Sequence, residues 1–373
     1  WTLSALWTGW LWGREAVSPL RSVLTRRRYD WSLYTSAICS TLKSLQSSLP
    51  ENLPVFFLIP ELESSFIAAV TLASGIAGLK YKGLAIQDDQ RFGQIYWHTS
   101  SKPELPGLKS TPTDIRAAVE SLLQKRAEPT SFLLLQAAII SSLVNQPSSQ
   151  PTKIEPVHVV YTKIQSDIQN HFSSAKYLSR YGGGEHTFET NSWWKPGLST
   201  SDLPVSDRIE MELVRYLLDH PGTRKQDLET HLCGNFPGLL TPTSELIQVC
   251  LQSYAVQEPI ENGQWQISPQ DTPSKRKTDI LEINQLLRQI GKRLNFKVNI
   301  LGSSELEWIG SDNSSVAHFY LIASSIVSTH ILTPAHPAKI GYILFPGSRV
   351  NLLLYKLNHD PHLQEIISSG WHL

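Results

Sequence analysis

The order of elements along this 373-residue chain predicts a multidomain protein of mixed α/β and α+β class. Three observations carry that expectation. A continuous apolar run, Val55-Phe56-Phe57-Leu58-Ile59, lies between two helical patterns and is followed by two more strands, which reads as part of an α/β sheet. In the middle, three helical patterns lead into a short hairpin. Toward the C-terminus an amphipathic helix precedes several strands, as in a small α/β domain. A chain of this length exceeds one comfortable core, so two or three domains are expected.

Composition narrows the class. Hydrophobic residues make up 41% and charged residues 18%, which excludes an intrinsically disordered chain. The net charge is zero, so any nucleic-acid surface has to be local. Cys39, Cys233 and Cys250 are isolated, with no Cys-x-x-Cys pair and no zinc-ligand spacing. They read as buried thiols of a reducing compartment. The apolar runs Trp1 to Trp12 and Phe132 to Val144 fall short of the roughly 20 residues that span a bilayer, and neither resembles a signal peptide. The expectation is a cytoplasmic protein with no membrane partner. The chain opens Trp1-Thr2-Leu3 and its only methionine is Met211, so it also reads as a piece of a longer polypeptide.

Residues 1–100 alternate helix and strand. A tryptophan-rich stretch leads to the basic run Arg26-Arg27-Arg28. Helix is expected over Trp31 to Leu49, and a strand buried on both faces at Val55 to Ile59. A second helix follows over Leu62 to Ala77, then strands at Leu79 to Gln87 and Phe92 to His98. Residues 101–203 form a helical and Pro-rich linker region, with helices at Thr113 to Arg126 and Thr130 to Val144. Asp114 and Glu120 lie early in the first helix, and Lys125 and Arg126 late, in agreement with the helix dipole. Gly182-Gly183-Gly184 is followed by Glu185-His186 and not by Gly-Lys-Ser/Thr, so it does not make a phosphate loop. Val157 to Pro196 gives no clear pattern.

Residues 204–270 are the clearest unit. One helix runs to His220, with Ile209, Leu213, Tyr216 and Leu217 on one face. A second covers about Lys225 to Phe236. A third starts at Thr241-Pro242, a good cap and first helical position, and reaches Tyr254. Val256 to Ile260 and Gln264 to Ile267 then pair across Glu261-Asn262-Gly263. Three helices and a hairpin are the winged-helix arrangement, a variant of the helix-turn-helix. Its third helix offers Ser244, Glu245, Gln248 and Gln252 but no cation, and duplex affinity is mostly electrostatic. The candidate DNA-binding residues are therefore the basic runs Arg26, Arg27, Arg28 and Lys275, Arg276, Lys277, the latter beside Lys292 and Arg293. Runs like these are also ordinary solvated surface, and winged helices also serve as packing modules.

In residues 279–373, Ile280, Ile283, Leu287, Ile290 and Leu294 share a helical face. Strands are expected at Phe296–Leu301, Leu306–Ile309 and Tyr342–Phe345, and helices at Arg349 to Asn358 and after Pro361. A helix carrying Glu282 and a strand region carrying Glu305 and Glu307 suggest a restriction-endonuclease-like α/β domain. No lysine stands two residues after either strand acid, so no intact divalent-metal site is expected. No catalytic residue and no metal ligand is assigned.

The order in residues 20–100 resembles the C-terminal half of a class I S-adenosylmethionine-dependent methyltransferase. There a late helix, strand and helix precede an antiparallel closing hairpin. Leu11-Trp12-Gly13-Arg14-Glu15-Ala16-Val17 and Arg26-Arg27-Arg28-Tyr29-Asp30-Trp31 look like the region beyond the catalytic motif in large bacterial DNA methylases of the N-4/N-6 amino-methylating type. Phe236-Pro237-Gly238-Leu239-Leu240-Thr241-Pro242 and Cys250-Leu251-Gln252-Ser253-Tyr254 look like their C-terminal extension. The resemblance implies S-adenosylmethionine as cofactor of the full-length protein, DNA as substrate and a restriction-modification setting. The family's Gly-rich cofactor loop is absent here. So is its Asp/Asn-Pro-Pro-aromatic motif, which holds the target amino group of a flipped base. On this reading the chain is inactive alone and binds no cofactor. It engages DNA and scaffolds an N-terminal catalytic portion of the same protein. The alternative is a non-enzymatic winged-helix adaptor in a DNA-processing or defence complex.

Overall fold

A computed structural model describes residues 2–18, 30–87, 89, 92–100, 108, 110–146, 155–182, 188, 190–200, 202–257, 263–332 and 340–373. Arg26, Arg27 and Arg28 lie outside these residues, as do most of the glycine turn and the tip of the central hairpin. The fold is mixed α/β with several small sheets.

Helix α1 (Thr2–Trp12) is apolar along its length and exposes Trp7, Trp10 and Trp12. After it come α2 (Trp31–Ser48), β1 (Pro54–Ile59), α3 (Ser64–Ile76), β2 (Lys80–Gln87) and β3 (Phe92–His98). Asp30 caps α2 by accepting from the amides of Ser32 and Leu33. Helix α3 has no polar face and is buried along its whole length, as an all-round apolar helix must be. The sheet order is β1-β3-β2, and β3 is antiparallel to both neighbours. β1 and β2 are therefore parallel, joined by α3. Ile59, Ile95 and Trp97 face a core with α2 and α3. The expected burial of β1 on both faces is not what forms. Its exposure alternates, and Phe56 and Leu58 stand 58% and 68% exposed on the opposite face. One layer of helices covers one side of the sheet only.

Residues 101–203, read as a linker region, hold a packed helical layer. Helix α4 (Pro112–Arg126) starts with a capping box between Thr111 and Asp114 and with Pro112 in its first turn. Strand β4 (Thr130–Ser131) and α5 (Phe132–Asn145) follow, then α6 (Val157–Ser174), where no clear pattern had been read. Tyr161, Ile164, Ile168 and Phe172 of α6 share a core with Ile115, Val119 and Leu123 of α4, with Leu135 and Ile139 of α5, and with Ala68 and Leu72 of α3. The linker region and the first sheet's helices thus fold as one body. Short strands β5 (Ser179–Tyr181) and β6 (Ser192–Trp194) join β4 in the order β4-β6-β5.

The central unit comprises α7 (Val205–Asp219), β7 (Thr223–Arg224), α8 (Lys225–Asn235), α9 (Ser244–Tyr254), β8 (Ala255–Gln257) and β9 (Gln264–Ile267), with sheet order β7-β9-β8. The third helix starts later than expected. A 3-10 turn occupies Gly238–Leu240, and the cap is Thr243, whose hydroxyl accepts from the amide of Leu246. Gly263 takes φ 58°, the left-handed geometry that an Asn-Gly turn requires.

The last domain holds α10 (Pro273–Arg293), β10 (Lys297–Ile300), β11 (Glu305–Ile309), β12 (Ser315–Leu321), α11 (Ser328–Ile331), β13 (Ile340–Leu344), α12 (Val350–His359), α13 (Pro361–Ser368) and β14 (Trp371–His372). Strands β10, β11 and β12 form an antiparallel meander, β13 and β14 continue in parallel, and the order is β10-β11-β12-β13-β14. Sequence reading missed β12, the centre of this sheet. The buried positions of α10 are Asn284, Leu287 and Gly291, a face shifted from the expected one; Ile283 and Leu294 are exposed. Gly291 lets the helix approach, because a Cβ there would lie 2.7 Å from both Trp308 and Val298. Asn284 turns inward because its amide donates to the carbonyl of Ser303 at 3.0 Å.

Candidate nucleic-acid interface and a buried charge junction

In a helix-turn-helix the third helix of the unit is the one that enters a groove. Here α9 is enclosed. Leu246, Ile247, Cys250, Leu251 and Tyr254 lie in one core with α7, α8 and Leu352 of α12. Its N-terminus is held by Thr243, whose hydroxyl bonds that of Tyr355 at 2.8 Å, and by Asp89, which accepts from the amide of Glu245 at 2.8 Å. Only Glu245 and Gln252 are exposed along the helix. Gln248 is half-buried and accepts from Lys225 at 3.0 Å. Major-groove insertion would have to strip α12 from α9.

The contact that encloses α9 is anchored by charge. Lys356 of α12 is 2% exposed and donates to Asp207 and Glu210 of α7. Ser328 donates to Asp207. Glu210 also accepts from the Tyr254 hydroxyl and, at 2.6 and 2.9 Å, from the hydroxyl and amide of Ser325. Arg349 lies 3.4 Å over the ring of Tyr254 and donates to the Ser253 carbonyl, to the Ala323 carbonyl at 3.2 Å and to Asp271. Burial works against the charge on Lys356, but Asp207 and Glu210 outweigh it and push the ammonium above its ordinary range. Burial raises the Asp207 carboxyl. Burial is the largest single effect on Glu210 too, yet Lys356, Ser325 and Tyr254 together lower it. Each group in this junction is hydrogen-bonded, the condition under which buried charge is tolerated. There is nowhere for a substrate to reach it. It is a fastener between α7 and the last domain, and no sequence pattern had singled it out.

The Lys275-Arg276-Lys277 run is only partly available. Arg276 is tied to Asp271 at 2.8 Å and to Asp279 at 3.1 Å, and Lys275 to Asp279 at 2.9 Å. Asp271 in turn bonds Arg349, so Arg276 belongs to the rim of the buried junction. Lys277 is exposed and has no ion pair among the described residues.

The acids of the nuclease-like reading do not converge. Strand alternation turns Leu306 and Trp308 toward α10, where they pack with Leu287, Ala317, Phe319 and Leu321. Glu305 therefore points to the opposite face, where it bonds His318 at 2.9 Å, and Glu307 stands opposite that histidine in the strand register while its carboxylate accepts from Asn299 at 3.5 Å. Glu282 is on α10, on the other side of the sheet. No group of three or more His, Cys, Asp or Glu that could hold a metal occurs among the described residues. Cys39 and Cys250 are buried and Cys233 half-buried; burial raises all three thiols. No described helix is long and apolar enough to cross a membrane.

The first sheet's outer face is the remaining unusual surface. Phe56 stacks on Tyr96 with centroids 4.6 Å apart, and Leu58 stands beside Gln94. β1 has β3 on one side and no strand on the other among the described residues. It carries no charged residue and no bulge. The opposite edge, β2, is approached by the Gly238–Leu240 turn, with the Leu84 carbonyl 3.5 Å from where a Cβ on Gly238 would stand. No protein-family profile, no curated protein and no solved structure matches this chain.

Proposed function

We propose that this chain is the DNA-engaging and scaffolding portion of a class I DNA-modification methyltransferase of the amino-methylating type. Its S-adenosylmethionine site and catalytic motif would be supplied by a companion catalytic portion of the same protein. The observation that carries the reading is the first sheet. The succession α2, β1, α3, β2, β3, with an antiparallel pair closing the sheet, is the order the resemblance implies. An apolar edge without charge or bulge is a surface that proteins ordinarily pair or cover. The bare faces of Phe56 and Leu58 fit the same picture, a sheet whose other strands and second helical layer come from the companion.

Two further features support the architecture. The order α7, β7, α8, α9, β8, β9, with its three-stranded sheet, fits a winged helix. Helix α10 followed by the meander and parallel β13 fits a restriction-endonuclease-like domain, one whose acids are divided between two faces. The chain's own residues hold and orient; methyl transfer belongs to the companion half. The second reading, a non-enzymatic winged-helix adaptor, draws on the burial of α9, which makes the winged unit a packing module.

The test is reconstitution. The DNA encoding the residues upstream of Trp1 is read for a Gly-rich loop and a Pro-Pro-aromatic motif, and the joined protein is assayed for transfer of labelled methyl groups to duplex DNA. The joined protein is expected to methylate an exocyclic amino group, and the present chain alone is expected to bind no S-adenosylmethionine by calorimetry. Micromolar cofactor binding by this chain alone, or no transfer by the joined protein, overturns the proposal and leaves the adaptor.

A further inference from the structure

We infer that this protein forms a two-fold dimer through α10, whose exposed apolar stripe pairs antiparallel with the same stripe of a second copy. This pairing is independent of any companion catalytic half. The inner side of α10, with Asn284, Leu287 and Gly291, is buried on its own sheet. Ile283, Leu286, Ile290 and Leu294 recur on the neighbouring side at steps of three and four residues, the spacing of a helix–helix seam. Leu286 and Leu294 stand 54% and 55% exposed and Ile283 37%, while Ile290 is half-buried. One apolar side of the helix serves the fold. The second is left largely in water.

Two observations identify the occupant as another copy of this chain. The first is charge. Glu282 and Arg293 border the stripe on its outer side by helical spacing, both are exposed, and neither has an ion pair among the described residues. They stand about 16 Å apart along the helix, so one chain cannot pair them with each other. A two-fold axis near Leu287 brings each Glu282 beside the Arg293 of the other copy, and the contact forms twice. By contrast Asp279, Lys275 and Arg276 neutralise one another within the chain. The second observation is shape. Beside the N-terminal half of α10, at the carboxyl ends of β12 and β13, lies an open cavity of about 250 Å³, lined by Ile280, Glu282, Ile283, Leu321, Leu344 and Phe345. Leu294, at the other end of the helix, and Ile280 are equally distant from Leu287 in sequence. The same axis therefore carries each exposed Leu294 to the cavity of the other copy. Acid meets base and projection meets hollow, the self-complementarity that an isologous interface requires. Antiparallel helices also set their dipoles in opposition. The chain's other exposed apolar elements lack such a pattern: α1, with Trp7 and Trp10, and β1, with Phe56 and Leu58, carry no charged residue.

The experiment is sedimentation velocity of the whole chain over a concentration series. A contact of one helix with its copy lies at the small end of protein interfaces, so the dimer is expected to form in the micromolar range. Leu286→Ser with Leu294→Ser is expected to leave a monomer with an unchanged circular dichroism spectrum. Glu282→Arg alone sets two arginines against each other across the axis, and Arg293→Glu alone sets two glutamates. Each is expected to weaken the dimer about tenfold. An equimolar mixture of these two single variants restores both contacts and is expected to dimerise like the unaltered chain. Should the serine variant fold poorly, the charge reversals decide, because both positions are exposed. Phe56→Thr with Leu58→Thr is expected to keep the dimer, which separates this contact from the open face of the first sheet. A chain that stays monomeric throughout, a serine variant that still dimerises, a mixture that fails to restore association, or loss of the dimer in the Phe56 and Leu58 variant each overturns the inference.

Discussion

At the junction of α7 with α12, two cations and three carboxylates are taken out of water and bonded to one another. On the outer face of β1 and β3, Phe56, Leu58 and Tyr96 remain in water with nothing against them. The first surface is expensive to assemble and has no spare capacity: Lys356, Asp207, Glu210, Arg349 and Asp271 all have partners within the chain. The second keeps its capacity to bury area. A finished joint fixes the central unit and the last domain as one body, whereas the uncovered sheet face still has apolar area left to bury. The two surfaces should respond oppositely to mutation, and that difference can be tested.

The largest effect is expected at the joint. Replacing Lys356 with Met leaves Glu210 and Asp207 buried without a counter-charge, a change that costs about 3–5 kcal/mol in comparable buried pairs. Urea unfolding should show the loss, with the transition of residues 205–267 and that of the last domain moving together. A variant that melts like the unaltered chain would mean that water reaches the pair. Next in size is a pH effect at Asp360, which sits between α12 and α13, is buried, and caps α13 by accepting from the amide of Leu363 at 2.9 Å. Burial raises its pKa to about 7, helped by Glu128 and Asp207 and opposed by the Leu363 amide. The folded state therefore holds the proton more tightly than the unfolded state, whose value is 3.8. The stabilising contribution is full below about pH 4 and is lost as pH rises through 7, on the order of 2–4 kcal/mol in all. Asp360→Asn keeps the cap and should flatten that part of the stability–pH curve. An unchanged curve would locate the proton elsewhere.

How much of this could be seen in the sequence depended on whether the signal was local. Helices α2, α3, α4, α7 and α12 follow apolar spacing or caps read directly from neighbouring residues. That β1, β2 and β3 belong to one α/β sheet followed from helix, strand and helix in succession. Helix α6 carried a usable period in Tyr161, Ile164, Ile168 and Phe172, but its opening Val157-His158-Val159-Val160 is β-branched and masked it. Strand β12 begins Ser315-Val316-Ala317-His318, with two polar residues in four, and reads as a loop until the meander on one side and β13 on the other give it two partners. The burial of β1 was overestimated because a five-residue apolar run is what a two-sided strand shows; helices on one side of the sheet leave Phe56 and Leu58 as outer residues. The junction was illegible for a different reason. Lys356 is 149 residues from Asp207 and 146 from Glu210. The one hint was an acid pair three apart on the apolar side of α7, a place where unpaired charge has no reason to be. The basic run at Lys275 was visible, but not that Asp271 and Asp279 consume two of its three charges.

A smaller effect is expected at the open sheet. Phe56→Thr with Leu58→Thr keeps good strand formers at both positions and removes surface that is already in water, so stability should change by less than about 1 kcal/mol. What should fall is the binding of a hydrophobic dye to the isolated chain, and with it the association with the companion half. A drop of many degrees in the melting temperature, with dye binding unchanged, would show that this face is covered in solution and that the sheet is complete as it stands.

The smallest effect is expected at the exposed side of α9. Gln252 is the helix's exposed amide, suited to a bidentate contact with a base edge, and it stands beside buried Leu251 and Ser253 on a helix packed against α12. If the winged unit read sequence through this helix, Gln252→Ala would remove a bidentate contact worth about 1–3 kcal/mol and relax specificity at one base pair. The enclosure of α9 by Leu352, Tyr355 and Asp89 argues for a different result, with affinity and sequence preference both unchanged in anisotropy titrations against several duplexes. Should Gln252→Ala abolish discrimination between duplexes, α12 must leave α9 on binding. The fastener at Lys356 would then be a latch that DNA opens, and Lys356→Met would strengthen DNA binding even as it weakened the fold.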